Sequence, residues 1–324
     1  LVFFDSVTFS QTVDTVVRTI INFWWLLVFV ALSILAPQIW LIYIQEYWRR
    51  KEVKWILLEL RIPREARRPP RAMEQVFTSM SSLRNSPAGP KEKWWDGEVT
   101  MWFSAEIVSF GGELHFYMAV PSKHRNAVEA VLYSQYPDVE IVAADEYIRR
   151  LPPTIDEFHE RGYELFGNEL TLAKPDAFPI RTYADFEENL EEKELDPLST
   201  LLEIMAKINP RETVLAQILF RPHTNDNWKK AGEKLVLELK ERSKSEVVTP
   251  SGKFTFVERS PGEVEVMKAV ERNIAKPGFD TLIRYLYIAP QEIYSDGFAR
   301  RGIFSAFNQY ATESLNKFRH NIKA

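Results

Sequence analysis

From Thr19 to Gln45 the chain carries no charged residue. A helix through that stretch would be roughly 40 Å long at about 1.5 Å per residue, against a hydrocarbon core of roughly 30 Å. The run is too long for the apolar region of a signal peptide, no small-residue cleavage site comes after it, and the helical pattern continues into Trp48 and Arg49. It predicts a permanent transmembrane helix over residues 19–48. Trp24 and Trp25 near one end, and Trp40, Tyr43, Tyr47 and Trp48 near the other, suit the two interfacial aromatic belts. Pro37 is expected to kink the helix near its exit. The competing reading is a buried core helix, disfavoured because such helices rarely run so far without a charge.

The flanks assign an orientation. Residues 1–18, with Asp5, Asp14 and Arg18, are expected to form a short extracytoplasmic N-terminus, whereas Arg49, Arg50, Lys51 and Lys54 crowd the other end and place the rest of the chain in the cytoplasm. Arg49 to Arg71 holds nine Lys/Arg against three Asp/Glu. Arg49, Arg50, Lys51, Lys54, Arg64, Arg67 and Arg68 could thus meet anionic headgroups, although a plain topology signal explains them equally well. The 324 residues include no cysteine and only five histidines. That excludes disulfides and thiolate metal sites, leaves little material for a zinc site, and gives no reason to expect any cofactor. The chain opens on Leu1 rather than Met, so further residues are expected upstream.

Beyond the anchor the pattern becomes that of an α+β protein with two sandwich domains. "VKWILLELRIP" has strand composition, and the stretch after Pro70 puts Met73, Val76, Phe77 and Met80 on one helical face. "EVTMWFSAEIVSF" and "ELHFYMAVP" flank Gly111-Gly112 as a hairpin. A helix with Val128, Val131 and Leu132 on one face and the strand "DVEIVAADEYI" complete the order βαββαβ, so residues 49–150 are expected to form a ferredoxin-like (split βαβ) domain. Residues 151–197 read as an acidic linker and insertion: Asp156 to Asp196 holds thirteen Asp/Glu against four Lys/Arg, a pattern that fits a solvated face better than a docking or metal patch. Within it "NELTLAKP" has strand character. Residues 198–324 alternate again: a helix from "DPLSTLLEIMAKI", a strand "ETVLAQILFRPH", a helix "NDNWKKAGEKLVLELKERSKS", a turn at "PSGK", another helix, a strand "FDTLIRYLYIAP" and a final helix "FARRGIFSAFNQYATESLNKF". A second ferredoxin-like or related sandwich is expected, one that can lack its last strand because the chain is expected to stop on a helix.

No catalytic motif stands out. "TPSGKFTF" has Val247 and Phe254 where a phosphate-binding loop needs glycine and Ser/Thr. Asp145 and Glu146, as strand neighbours, would point to opposite faces and could not converge on one bond. His115 reads as a half-buried sheet histidine before it reads as a base-stacking residue. Arg300 and Arg301 among Phe298, Phe304, Phe307 and Tyr310 could serve single-stranded nucleic acid, but the spacing of Phe304 and Phe307 is explained by core packing. "FRPHTNDNWKK" could offer a phosphate the N-terminus of a helix, although a plain loop explains it better.

The order of the parts, with "WILLELRIPRE", "KWWDGEVTMWFSAEIVSFGGELHFYMAVP", "SQYPDVEI", "ETVLAQILFRP", "KPGFDTLIRYLYIAP" and "FSAFNQYATESLNKF", resembles the N-terminal region of large bacterial membrane proteins related to type IV secretion and conjugation ATPases. In that family the module precedes a nucleotide-hydrolysing motor, and this chain holds no nucleotide loop, so no ATP-binding residue is carried over. The resemblance implies a non-catalytic membrane-anchoring and assembly platform at the bacterial inner membrane, single-pass with its C-terminal domains cytoplasmic. It also implies homo-oligomerisation and partners in the bilayer, the motor domain or other secretion components. A membrane-tethered module for single-stranded nucleic acid is the rival, and the net charge of −4 argues against it. An anionic-lipid-binding scaffold is a third reading.

Overall fold

The computed structural model describes residues 6–63, 69–84, 89–187, 196–225, 227–242, 244–249, 252–257 and 260–322. The chain divides into two compact units, residues 1–53 with 86–99, and residues 54–85 with 100–324.

The first unit is built on helix α1, Ser6–Glu52. It begins well before Thr19 and runs through Pro37; the non-helical dihedrals fall at Phe23 (φ −112°, ψ 15°) instead. The break in helical dihedrals thus lies toward the end of the apolar stretch opposite Pro37. Proline removes one intrahelical bond but keeps a helical φ, so it need not break a helix whose neighbours hold their dihedrals. The second part of the unit is a single wide helical turn, Glu92–Asp96, ended by Gly97 at φ 72°. A Cβ at Gly97 would lie 2.4 Å from the Ile44 carbonyl oxygen, so both the backbone angle and the close approach to α1 demand glycine.

The second unit runs β1 (Trp55–Arg61), α2 (Arg71–Ser81), β2 (Phe103–Phe110), β3 (Glu113–Pro121), α3 (Arg125–Gln135), β4 (Glu140–Ala144), α4 (Ile155–Glu160), β5 (Tyr163–Leu172), α5 (Tyr183–Glu187), α6 (Ser199–Ala206) and β6 (Thr213–Pro222). It continues with α7 (Asn227–Arg242), β7 (Lys244–Thr249), β8 (Gly252–Val257), α8 (Pro261–Ile274), β9 (Phe279–Pro290), helical turns over Phe298–Tyr310, and β10 (Phe318–His320). Eight strands form one antiparallel sheet in the order β10-β5-β9-β6-β2-β3-β1-β4, and β7 pairs with β8 apart from it. The order strand, helix, hairpin, helix, strand expected over residues 53–148 is present, with Gly111 and Gly112 at positive φ in the hairpin turn. In each half the first strand lies between the third and the fourth: β1 between β3 and β4, β5 between β9 and β10.

The alternation of side chains then sorts the faces. Leu58, Phe103, Met118 and Val120 pack beneath Val76 and Met80 of α2 and Val128 and Leu132 of α3. Val214, Ala216, Tyr285 and Tyr287 pack beneath Leu201 and Met205 of α6 and Ile303 and Phe307. Residues of opposite parity, Val108, Tyr117 and Leu215, gather on the other face around Tyr147.

Several expectations change. Two separate sandwiches give way to one continuous sheet, because the edges β2 and β6 pair with each other from Phe103↔Phe220 to Phe110↔Thr213. The segment read as an acidic linker contains β5, whose ten residues extend N-terminal to the stretch with visible strand character. The centre of its acidic run, residues 188–195, lies outside the described residues. Sequence reading missed two paired strands, β7 and β8, on either side of the turn expected at "PSGK", where Pro250 and Ser251 lie outside the described residues. The final helix is a short series of irregular turns, and the last described element is strand β10 rather than a helix.

Leu58 is fully buried under both helices of the first half. Leu58→Ala should lower unfolding free energy by about 3 kcal/mol through lost burial and a residual cavity. Denaturant titration of the full chain in detergent measures this, and a loss under about 1 kcal/mol would show that the site collapses or is not core.

Candidate functional site

Two regions could carry function: the apolar helix with the segment packed on it, and a polar row across the sheet.

Residues Ile21–Glu52 of α1 are long and apolar enough to cross a membrane, and the most apolar 18 residues among them are not buried in protein. Trp24 and Trp25 stand exposed at one end and Trp40 and Tyr43 at the other, the latter two in ring contact at 6.2 Å. The one hydroxyl among the aliphatic residues of the middle, Ser33 Oγ, donates to the Phe29 carbonyl at 2.8 Å, so it offers no bare polar group to lipid. At the basic end Glu46 accepts from Arg50 at 2.8 Å and from Arg49 at 3.4 Å, and Lys51 donates to Tyr47 Oη at 2.7 Å. Arg49, Arg50 and Lys51 therefore share one helical turn, half-committed to local partners yet exposed. Trp48 is half-buried, and Lys54 lies beyond the helix. Arg64, Arg67 and Arg68 lie outside the described residues.

Against this helix end sits the turn at Glu92–Asp96. The Trp40 indole N–H donates to the Trp94 carbonyl at 2.7 Å across 54 residues of sequence. Glu92 accepts the Gly89 N–H at 2.8 Å, Lys93 stands over the Trp94 ring, and Trp95 is 72% exposed. In the sequence this "KWW" reads only as the lead-in to a hairpin; the signal overlooked is two tryptophans beside lysine in a Pro/Gly-bounded segment.

The polar row was also missed. Glu59, Tyr117, Glu106, Gln217, Arg284 and Glu169 are successive register partners across β1, β3, β2, β6, β9 and β5. Glu106 is only 5% exposed, yet it accepts from Ser104 Oγ at 2.5 Å, from Gln217 Nε2 at 2.6 Å and from the Tyr147 hydroxyl. Gln217 in turn accepts from Arg284 Nε at 2.5 Å. A buried carboxylate with this many donors is satisfied, and it acts as a pin rather than a reactive acid. Burial, reinforced by the Glu106 charge, pushes the Tyr147 hydroxyl far above its ordinary pKa.

The remaining sequence candidates resolve locally. His115 bonds Glu59 at 2.9 Å and stacks on Tyr117, the structural role expected of it. Asp145 and Glu146 lie just past β4, with Glu146 held by Arg149 at 2.7 Å. Arg300 pairs with Asp296 at 2.6 Å and lies over Phe166, while Phe307 is buried in the core. A cavity of about 380 Å³ near His223, Trp228 and Gly278 includes the loop that could have held phosphate. There His223 bonds Asp280 at 2.5 Å, Arg84 donates to the carbonyls of His223 and Thr224, and Asn225 caps the Asn227 N–H at 3.0 Å. Arg84, His223 and the Asn227 N–H are thus engaged within the protein. Among the described residues no cluster of three metal-ligating side chains occurs.

Comparison with known proteins places the chain by family. Residues 45–319 match the model of a domain of unknown function, DUF8128, and the chain belongs to that family. No curated protein and no solved structure matches it. The matched span opens in the last turns of α1 and takes in the Trp94–Trp95 turn and the eight-stranded sheet up to Arg319 of β10.

Tyr147→Phe should cost about 1–3 kcal/mol by leaving Glu106 short of a donor in a buried site, read by denaturant midpoint; an unchanged midpoint would mean water replaces the hydroxyl. Burial also pushes Tyr285 up to about 12 from 10.0, and raises Tyr287, which donates to Glu212 at 2.7 Å. These phenols ionise less readily folded than unfolded. The stability they supply is therefore complete below pH 10.0 and is lost as pH rises through the folded value, about 12 for Tyr285. Circular dichroism during alkaline titration should stay flat to pH 10 and collapse above it; loss of structure well below pH 10 would refute the assignment.

Proposed function

We propose that this DUF8128 member is a single-pass membrane protein whose work is binding and assembly, with α1 as the anchor and the eight-stranded unit as a platform. The observation that carries the reading is the uncharged run of α1 from Thr19 to Gln45, whose most apolar 18 residues are not buried in protein and have a favourable environment in a bilayer and an unfavourable one in water. The basic turn at Arg49 to Lys51 supports a cytoplasmic side for the platform, by the excess of basic residues that marks cytoplasmic flanks. We read each half of the sheet as a split βαβ unit, the second carrying α7, β7, β8 and α8 as an insertion between β6 and β9. The platform is a non-catalytic part of a translocation apparatus of the conjugation and type IV secretion kind in the bacterial inner membrane. That part of the proposal is supported by the motif resemblance and by a site inventory in which acids and bases serve internal contacts. A homo-oligomer that seats a motor domain follows from the same resemblance.

The full chain should stay in the membrane pellet after alkaline carbonate extraction, and in nanodiscs its mass should correspond to more than one copy. Release by carbonate would end the anchor reading. A strict monomer, with and without the motor domain, would end the platform reading.

A further inference from the structure

We infer that the Gly89–Gly97 segment is a second membrane contact, an interfacial foot that lays Trp94 and Trp95 in the headgroup layer beside the exit of α1. The inference rests on the proposed anchoring by α1.

Depth is the first argument. The apolar stretch opens at Ile21, and Trp40 stands roughly 28 Å further along at about 1.5 Å per residue, close to the roughly 30 Å of the hydrocarbon core. The segment is fastened at that level, by Trp40 Nε1 to the Trp94 carbonyl at 2.7 Å and by Gly97 packed on the Ile44 carbonyl. A body docked at residues 40–44 of a spanning helix lies at the boundary between acyl chains and headgroups, not in bulk water.

Composition is the second. Trp95 is 72% exposed and lies in the same small unit as exposed Trp40 and Tyr43. Indole and phenol rings favour the membrane interface, and Lys91 and Lys93 can extend their amines toward anionic headgroups while their stems lie along the rings. Lys93 already stands 5.7 Å from the Trp94 ring.

Backbone bookkeeping is the third. Near a bilayer polar main-chain groups need internal partners. Here the Lys93 N–H donates to the Gly89 carbonyl, the Glu98 and Gly97 N–H groups to the Glu92 carbonyl, and the Gly89 N–H to the Glu92 carboxylate. The remaining acid, Asp96, is exposed at the end of the turn, where it can face water. With two attachments the helix exit resists the tilt and rotation that a lone span permits.

The absence of cysteine makes a direct test simple. Single cysteines replacing Val30, Trp95 and Lys207 in the full chain carry nitroxide labels, in nanodiscs of phosphatidylcholine with phosphatidylglycerol. Collision with oxygen, which concentrates in the bilayer, is compared with collision with a water-soluble nickel chelate. The label at 30 should be shielded from nickel and reached by oxygen, that at 207 the reverse, and that at 95 should lie between, with nickel collisions several-fold below those at 207. A label replacing Lys93 keeps both tryptophans and should give the same intermediate value, slightly nearer water. Should 95 and 93 match 207 while 30 stays deep, the foot is refuted and the anchor stands; should 30 match 207, the anchor itself fails. Shielding of 95 from both reagents would mean that protein, not lipid, covers that position, which also overturns the inference.

Discussion

The pairing of β2 with β6 is the interaction on which the second unit depends. Each strand would otherwise be a long apolar edge with unpaired backbone groups, the arrangement that invites aggregation. Joined over eight register pairs, they turn two four-stranded halves into one sheet with a single helix-packed face over both halves. Glu106 and Gln217 are partners at this seam, and their buried side-chain bond specifies its register. A slip by one residue would carry Glu106 to the face packed by helices, where no donors await it, so the polar pair enforces what apolar strands alone would leave loosely determined. Arg284 and Tyr147 extend the same network outward, one along the row to β9 and the other from the turn after β4.

In the first unit the governing constraint is the uncharged run from Thr19 to Gln45 within α1. That run is long and apolar enough to cross a membrane, and the rest of the helix is consistent with it: a satisfied Ser33, aromatic rings at both ends, and charged residues only outside the run, Asp14 and Arg18 before it and Glu46 onward after it. The turn at Glu92–Asp96 adds a constraint from far along the chain. Its geometry depends on Gly97, whose missing side chain lets two backbones touch, and on one indole bond from Trp40.

Much of the first half was legible because its signals are local. Met73, Val76, Phe77 and Met80 repeat at helical spacing, the strands alternate, and Gly111-Gly112 permit only a tight turn, so propensity, pattern and turn chemistry agree. The second half was less legible where signals conflict. Strand β5 begins within an acidic context that favours a loop, and the residues from Phe298 to Tyr310 have helical spacing but fold as mixed tight and wide turns, which no apolar count distinguishes. Glu106, Gln217 and Tyr147 gave no warning, because each is an ordinary polar residue until register partners surround it. The basic cluster was visible, but not that Glu46 already holds Arg49 and Arg50.

By itself the sequence determined that one helix is long and apolar enough to cross a membrane, that strands and helices alternate after it, and which side chains line the first core. These follow from composition and period, properties of neighbours along the chain. Only the tertiary structure decided that the halves share one sheet, that a buried carboxylate sits at their seam, and that Trp94 meets Trp40. Those contacts join residues 54 to 117 positions apart, and their free energies depend on which groups are brought together after water has been excluded.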